Sequence, residues 1–498
     1  MAEKKSFLNA LKWAYTGNWG ERAFSALFTF ILAGILGPRD FGVVAICVVY
    51  ISFLQLFLDQ GLATALIQRK EIEHQHLDAV FWLDLALGLI LVPLSIACSR
   101  KWAAVNHSPE IARIIPVLSV SILIEALAMV QTSLLRREMD FKSLSLRTNL
   151  SVLISGVVGI GMALAGFRVW ALVGQQIVRD STALVLLWKL SPWRPRFQFS
   201  WGHLKALLGF SIPNFTAQLG LFAGGQADSV ILGLFFGPLA VGLYRVADRV
   251  VNSVVSMMMQ SIQTVSLPEF SRLQKEPDEL RKSVLTCIRL TAAATLPALA
   301  GLGAISFPLM ATLGPNWTPA ANVLKILSLL GIMSVFSFFT GPLLQALSRP
   351  QHLAVLEWLR SALGIVVLLA AGFLVRNAPV SGQIAGIAGA SFVMGALIVT
   401  PVYVYILMRL SGVSLRDLTA PIVPSALASV SVVGVVMLFQ STGWLATQKP
   451  AILLIVESAL GGVFGLAVLF SLETQLRGSV RGMLQRRFGR QATSKGLA

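Results

Sequence analysis

Long apolar stretches alternate with short polar connections along the whole chain. Each stretch reaches the roughly 20 residues that cross a bilayer as a helix. The spacing predicts a first set of six helices at about 13–36, 41–67, 79–98, 112–135, 146–166 and 169–189. A second set of six falls at about 206–236, 241–267, 284–312, 319–347, 352–375 and 384–408, and two more at about 420–440 and 451–471. Several spans exceed the minimum length, which implies tilt or kinks, with Pro213 and Pro297 as the expected kink sites. The connections never exceed roughly 15–17 residues, too short for a folded domain outside the membrane.

Charge inside such spans is costly, about 2.5–3.5 kcal/mol per group at mid-bilayer. The chain nevertheless places there Glu21, Arg22, Asp59, Asp84, Glu125, Arg179, Asp180, Asp228, Arg245, Asp248, Arg249, Arg289, Lys325, Arg360 and Glu457. Helical spacing gathers many of these groups into stripes. Tyr15, Asn18, Arg22, Ser25 and Thr29 share a face of the first helix, and Ser52, Gln55 and Asp59 a face of the second. Asn214, Gln218 and Ser229 align on the seventh, with Asp228 at the edge. The longest stripe, on the eighth, runs Arg245, Asp248, Arg249, Asn252, Ser256, Gln260, Gln263. A stripe of that length lines a partner helix or a wet cavity, not lipid. The adjacent pair Arg179 and Asp180 reads as structural.

Residues 31–42 (ILAGILGPRDFG) and 231–242 (ILGLFFGPLAVG) match at an offset of 200, with Gly37/Gly237, Pro38/Pro238 and Gly42/Gly242 among the identities. Each segment ends one long helix and begins the next through a Gly-Pro turn. Six helices separate the copies, so both enter the membrane in the same direction. The expected architecture is an all-α membrane protein of about fourteen transmembrane helices. Two parallel six-helix lobes, 1–200 and 201–410, surround a central cavity, followed by two C-terminal helices in 411–471 and a basic tail in 472–498. With a cytoplasmic N-terminus, about 26 of the 40 Lys and Arg fall on the cytoplasmic side against about 7 opposite, which places both termini inside. Lys4 and Lys5 are followed by no small-residue cleavage site, so the first helix is expected to remain uncleaved.

Composition agrees: 55% of the 498 residues are apolar and only 13% charged. A net charge of +17 with no recognition motif points to cytoplasmic loops and anionic lipid, not nucleic acid. In the tail, Leu476, Val480, Leu484 and Phe488 at helical spacing among arginines predict an amphipathic helix on anionic membrane lipids. Trp193–Trp201 reads as an interfacial segment, with Ser200 an N-cap. Cys47, Cys98 and Cys287 offer neither a disulfide framework nor metal-ligand spacing, and His74 and His76 read as a solvated loop. No cofactor or metal is expected, and without a P-loop the chain is not expected to hydrolyse ATP.

The segments LGPRDFGVVA (36–45), DQGLATALIQRKEI (59–72), LLRREMDFKSLSLR (134–147), SPWRPRFQFSW (191–201), FGPLAVGLYRVADR (236–249) and LPEFSRLQ (267–274) carry a resemblance. Gly314 with Trp317, and LLQALSRP (343–350), fit it too. Together they resemble the polysaccharide-transporter branch of the multidrug/oligosaccharidyl-lipid/polysaccharide exporter superfamily, and within it the bacterial repeat-unit flippases for lipopolysaccharide and exopolysaccharide. The resemblance implies a non-enzymatic flippase of the bacterial inner membrane. It would move an undecaprenyl-pyrophosphate-linked oligosaccharide outward by alternating access, with polysaccharide polymerase and export machinery as candidate partners. Arg22, Arg245, Arg249 and Arg289 are then the candidates for the pyrophosphate, with Asn18 and Asn252 on the same stripes. Asp59, Asp228 and Asp248 are candidates for coupling protons or sodium. A multidrug/cation antiporter of the same superfamily, or an intramembrane polysaccharide polymerase or ligase, are the alternatives. Arginine-rich stripes disfavour a cationic cargo, and the short loops disfavour glycan chemistry.

Overall fold

The computed structural model describes residues 2–59, 62–69, 71–442 and 449–472. All regular structure among them is helical. In chain order the helices are α1 (Ala2–Ile35), α2 (Pro38–Asp59), α3 (Leu62–Gln68), α4 (His74–Val105), α5 (Ile111–Leu118), α6 (Val120–Arg137) and α7 (Phe141–Leu164). Next come α8 (Val169–Leu190), α9 (Trp201–Phe236), α10 (Pro238–Arg272), α11 (Pro277–Ala304), α12 (Ser306–Thr312) and α13 (Ala320–Ser337). The rest are α14 (Thr340–Ala346), α15 (Pro350–Leu374), α16 (Val380–Met394), α17 (Thr400–Ser411), α18 (Leu415–Thr419), α19 (Val423–Ser441) and α20 (Pro450–Leu472). The tail from 473 lies outside the described residues.

Among the described residues, eleven helices or helix pairs are long and apolar enough to cross a membrane, so the protein is a multi-pass membrane protein. Three further long helices, α1, α8 and α10, of 34, 22 and 35 residues, are not among them. They are the ones interrupted by Glu21 and Arg22, by Arg179 and Asp180, and by Arg245, Asp248 and Arg249.

Helix ends depart from the apolar pattern for identifiable reasons. The first helix begins at Ala2, not near 13, because its opening turns are made of polar and small helix formers that hydropathy overlooks. The expected span 112–135 is two pieces: Pro116 removes a backbone donor, and at the break the Ser119 hydroxyl donates to the Ile115 carbonyl at 2.7 Å. The expected span 384–408 widens to a π-helix over Gly395–Val399, just before Pro401, whose ring cannot sit under a regular turn. Helix α11 runs past Pro297 to Ala304.

By contact density the chain divides into two units. The first comprises residues 1–253, 313–323 and 354–391. Here small residues let helices approach, as expected where lipid gives no hydrophobic drive for association. Gly17 of α1 packs on Ser145 of α7, whose hydroxyl donates to the Trp13 carbonyl at 2.8 Å, and Asn149 donates to the Gly17 carbonyl at 3.1 Å. Gly220 and Gly224 of α9 receive Trp358 and Ser361 of α15 in the same way.

The repeated Gly-Pro segments meet face to face in this unit. A Cβ on Gly42 would strike the Pro238 carbonyl, and one on Gly242 would strike the Pro38 carbonyl. The reciprocity extends outward. Trp317 Nε1 donates to the Ala33 carbonyl at the end of α1, at 2.8 Å. His107 Nε2 lies 3.2 Å from the Leu234 carbonyl at the end of α9. Each repeat thus has a terminal helix carbonyl held by a side chain from a distant part of the chain, one of the four such carbonyls a helix end leaves without an intrahelical partner.

The second unit comprises residues 254–312, 324–353 and 392–498. Its core joins Val284, Ile288 and Leu296 of α11 with Phe339, Leu343, Leu407 and Leu418. Gly461 and Gly465 of α20 admit Val432 of α19.

Candidate functional site

The first unit contains a cavity of about 580 Å³. Its walls come from Ser25, Thr29 and Leu32 of α1; Phe41, Val44, Ala45 and Val48 of α2; and Val152 and Ser155 of α7. Leu172, Gln175, Gln176 and Arg179 of α8, and Gly225 and Gln226 of α9, continue it. Helix α10 closes it with Arg245, Val246, Asp248, Arg249 and Asn252. Three guanidiniums face one carboxylate, a net lining charge of +2 (three minus one). The three long helices outside the membrane-span set, α1, α8 and α10, all contribute to the chamber, and α8 and α10 carry its charged lining residues.

The cations differ in how far they are already engaged. Arg179 Nη2 lies 2.8 Å from Glu21 Oε1, and Arg245 Nη1 lies 3.7 Å from Asp248 Oδ2. Asp248 also accepts from Asn252 Nδ2 at 2.7 Å. Arg249 donates through Nη2 to the Ser25 hydroxyl at 2.6 Å and makes no ion pair with a carboxylate among the described residues. It is the guanidinium best placed to receive an anion.

Of the residues expected to bind substrate, Arg245, Arg249 and Asn252 are brought together at this cavity, and Asp248, expected to couple ions, joins them. Arg22 is half-buried one turn before Ser25 and does not line it. Asp228 accepts a hydrogen bond from the buried Tyr244 hydroxyl at 2.7 Å, away from the lining. Arg289 belongs to the second unit. The side chains of Asn18 and Asp59 lie outside the described residues.

The structural reading of Arg179 and Asp180, adjacent residues that point different ways, fits their contacts: Arg179 pairs with Glu21 on α1, and Asp180 accepts from Ser121 at 2.6 Å and from Gln176 at 3.0 Å. Arg179 also lines the cavity, on one helical face with Gln175 and Gln176. His76 is a correction. It lies buried in the first turn of α4, not in a solvated loop. Ser200 holds the N-cap position of α9, but its hydroxyl faces His203 Nδ1 at 2.5 Å and makes no capping bond.

The second unit holds a larger cavity of about 670 Å³, lined by Ala, Gly, Val and Leu side chains of α11, α19 and α20. Glu457, its one charged lining residue, accepts from Gln440 at 2.9 Å. Polar recognition is therefore concentrated in the first unit.

A multi-helix membrane bundle built around a chamber lined by charged side chains is the architecture of a transporter. The fold is similar to that of lipid II flippase MurJ in an inward closed conformation, with a TM-score of 0.73 over 93% of this chain and 99% of that one, at 15% identity. It also resembles an inward-facing multidrug resistance MATE family transporter of the MOP superfamily, with a TM-score of 0.63 over 78% of this chain and 95% of that one, at 17% identity. Residues 31–322 match the polysaccharide biosynthesis protein family, and the chain belongs to that family. Similar proteins include the succinoglycan biosynthesis transport protein ExoT of Rhizobium meliloti (strain 1021), 27% identical over 71% of each chain. The teichuronic acid biosynthesis protein TuaB of Bacillus subtilis (strain 168) is 26% identical over 60% of this chain and 62% of its own. The lipopolysaccharide biosynthesis protein WzxC of Escherichia coli (strain K12) is 24% identical over 64% of this chain and 65% of its own.

Proposed function

We propose that the protein is a flippase that moves a lipid-linked oligosaccharide repeat unit across the bacterial inner membrane by alternating access. The cargo in this reading is an undecaprenyl-pyrophosphate glycan used in exopolysaccharide or lipopolysaccharide synthesis. Two six-helix lobes, 1–200 and 201–410, would rock about the cavity, with 411–471 appended and the basic tail 472–498 on cytoplasmic anionic lipid. Adding α1, α8 and α10 to the eleven apolar spans supports a count of fourteen, an even number that leaves both termini on one side, and the Lys and Arg bias favours the cytoplasmic side.

The observation that carries this reading is Arg249, a guanidinium without a carboxylate partner among the described residues, inside a chamber of net positive lining. A pyrophosphate cannot cross hydrocarbon, whereas its polyprenyl tail can stay in it. The protein need only offer a wet cationic slot to the head. Guanidiniums grip phosphate oxygens in bidentate fashion, and the surrounding amides and hydroxyls suit a hydrated sugar. The volume falls inside the roughly 300–1,000 Å³ of small-ligand sites, enough for a headgroup. The MATE likeness extends to fold, but a cationic drug would meet three arginines and one acid, which disfavours that cargo.

The test is complementation of a flippase-null strain. Removing Arg249 deletes charge-assisted hydrogen bonds worth about 1.5–3 kcal/mol each, roughly tenfold to a hundredfold in headgroup affinity per bond. Arg249→Ala should abolish glycan export while the protein still reaches the membrane, and normal export by that variant would refute the assignment. For coupling, Asp248 is the acid of the three candidates that lines the cavity, while Asp59 and Asp228 remain secondary candidates. Flipping in vesicles should slow when proton and sodium gradients are collapsed; indifference to both removes the coupling role.

A further inference from the structure

We propose that Glu73, His76 and His203 form a binding site for a divalent transition-metal ion of the zinc class, joining the start of α4 to the start of α9. Glu73 and His76 lie one helical turn apart and His203 comes from far along the chain, yet their ligand atoms all lie within 4.8 Å of one another. His203 Nε2 stands 3.3 Å from Glu73 Oε2, and the two imidazole rings meet edge to face with centroids 4.5 Å apart. His76 is only 2% exposed, and its Nε2 has no hydrogen-bond partner among the described residues. A buried imidazole nitrogen left unsatisfied beside a second imidazole and a carboxylate is a polar cost without a visible return.

The chemistry of the set fits a borderline-soft cation. Two imidazoles and one carboxylate suit zinc, whereas calcium and magnesium prefer oxygen donors. A tetrahedral zinc needs ligand atoms roughly 3.4 Å apart, given bonds of about 2.0–2.2 Å. The Glu73–His203 pair already has that spacing, and side-chain rotation about 1 Å inward completes it. Water would take the fourth position. The outer shell is also present: Ser200 Oγ sits 2.5 Å from His203 Nδ1, where it can accept the Nδ1 proton and aim the Nε2 lone pair at the metal. With that tautomer and no cation, the lone pair would face the Glu73 carboxylate unfavourably.

Binding has an identifiable cost. His76 Nδ1 accepts the Glu73 backbone N–H at 3.2 Å. Coordination through Nε2 moves the imidazole proton to Nδ1 and breaks that bond. One neutral hydrogen bond is given up for three coordinate bonds. The walls hold the residues in place. Leu77 and Leu204, each next in sequence to a histidine of the set, are buried in one apolar cluster with Val80 and Trp193. His74 stays out of the set, bound to the buried Asp78 at 3.1 Å.

The experiment uses the full-length protein in detergent with any affinity tag removed. Cobalt(II), which reports tetrahedral nitrogen and oxygen ligation by its visible absorption, is titrated in and then displaced with zinc. The expected result is a band saturating at one cobalt per chain, bleached by zinc and unaffected by excess magnesium. Glu73→Gln and His203→Gln should each weaken cobalt at least tenfold, while His352→Gln leaves it unchanged. No saturable band in the wild-type protein, or a band that survives both substitutions, overturns the site. The wild-type titration decides even where a variant fails to fold. Because the readout is metal binding, its outcome is separate from that of the export test.

Discussion

The reciprocal contact between Gly42 and Gly242 makes a quantitative demand. Replacing Gly42 with alanine sets a Cβ against the Pro238 carbonyl and the Gly242 nitrogen, all backbone atoms with no rotamer to move aside. The starts of α2 and α10 must therefore part by roughly 1–2 Å to restore ordinary van der Waals separation. Overpacking of this kind costs about 1–3 kcal/mol, so the closed arrangement loses about 5–150-fold in population against one in which the segments stand apart. Gly242→Ala strikes the Pro38 carbonyl across the same contact. One separation relieves both clashes, so the double variant should cost clearly less than the sum of the singles. The assay is alkylation of a cysteine at Thr29, a cavity-lining position, in a background lacking Cys47, Cys98 and Cys287. An impermeant maleimide is applied from the face bearing the α1–α2 turn. Labelling should rise by about tenfold or more in each single variant and scarcely further in the double. Unchanged labelling in both singles, or strictly additive effects, would refute the view that these glycines close the chamber.

Three further outcomes follow from particular contacts. Trp317→Phe keeps an aromatic ring against Phe41 but loses the bond to the Ala33 carbonyl, and should lower the detergent melting midpoint by an amount equivalent to about 1–3 kcal/mol; an unchanged midpoint would mean that bond is dispensable. Arg137 Nη1 donates to the carbonyls of Leu66, Ile67 and Arg69 at the end of α3, so Arg137→Met should speed amide exchange in α3 selectively, and a uniform change across the chain would argue against that role. The Asp417 carboxyl is held below its ordinary value of 3.8 by the Ser414 hydroxyl and backbone N–H, then by Arg281. A depressed carboxyl stabilises the fold above its ordinary value and loses that contribution as pH falls through the lower folded value. Melts at pH 5 and pH 8 should thus show the same difference between Asp417→Asn and wild type, with convergence only below about pH 4.

Much of this architecture was legible because the bilayer enforces a simple rule: apolar length specifies a span and buried charge marks a purpose. The stripe on α10 was visible at helical spacing, and the structure places Arg245, Asp248, Arg249 and Asn252 on one wall. The twelve-residue repeat foretold a relation between two turns, though not that they touch. What sequence could not supply was partnership across distance. Arg179 reaches Glu21 on α1, Asp228 takes its hydrogen bond from Tyr244, and His203 returns to Glu73, pairings fixed by helix packing, not by local pattern. Arg22 shares the helical face of Ser25 and Thr29 but sits one turn nearer the N-terminus, outside the set of residues that line the cavity.

The polarity of α10 also bears on how the chain is made. Arg245, Asp248 and Arg249 together add on the order of 8–10 kcal/mol to the insertion of an isolated helix at mid-bilayer. Such a segment leaves the translocon poorly on its own. It is better retained in the channel until an apolar neighbour such as α9 or α11 can escort it into lipid. Biogenesis and cargo recognition are then tied to the same few side chains, and a substitution that made the chamber greasier would ease membrane entry while emptying it of purpose.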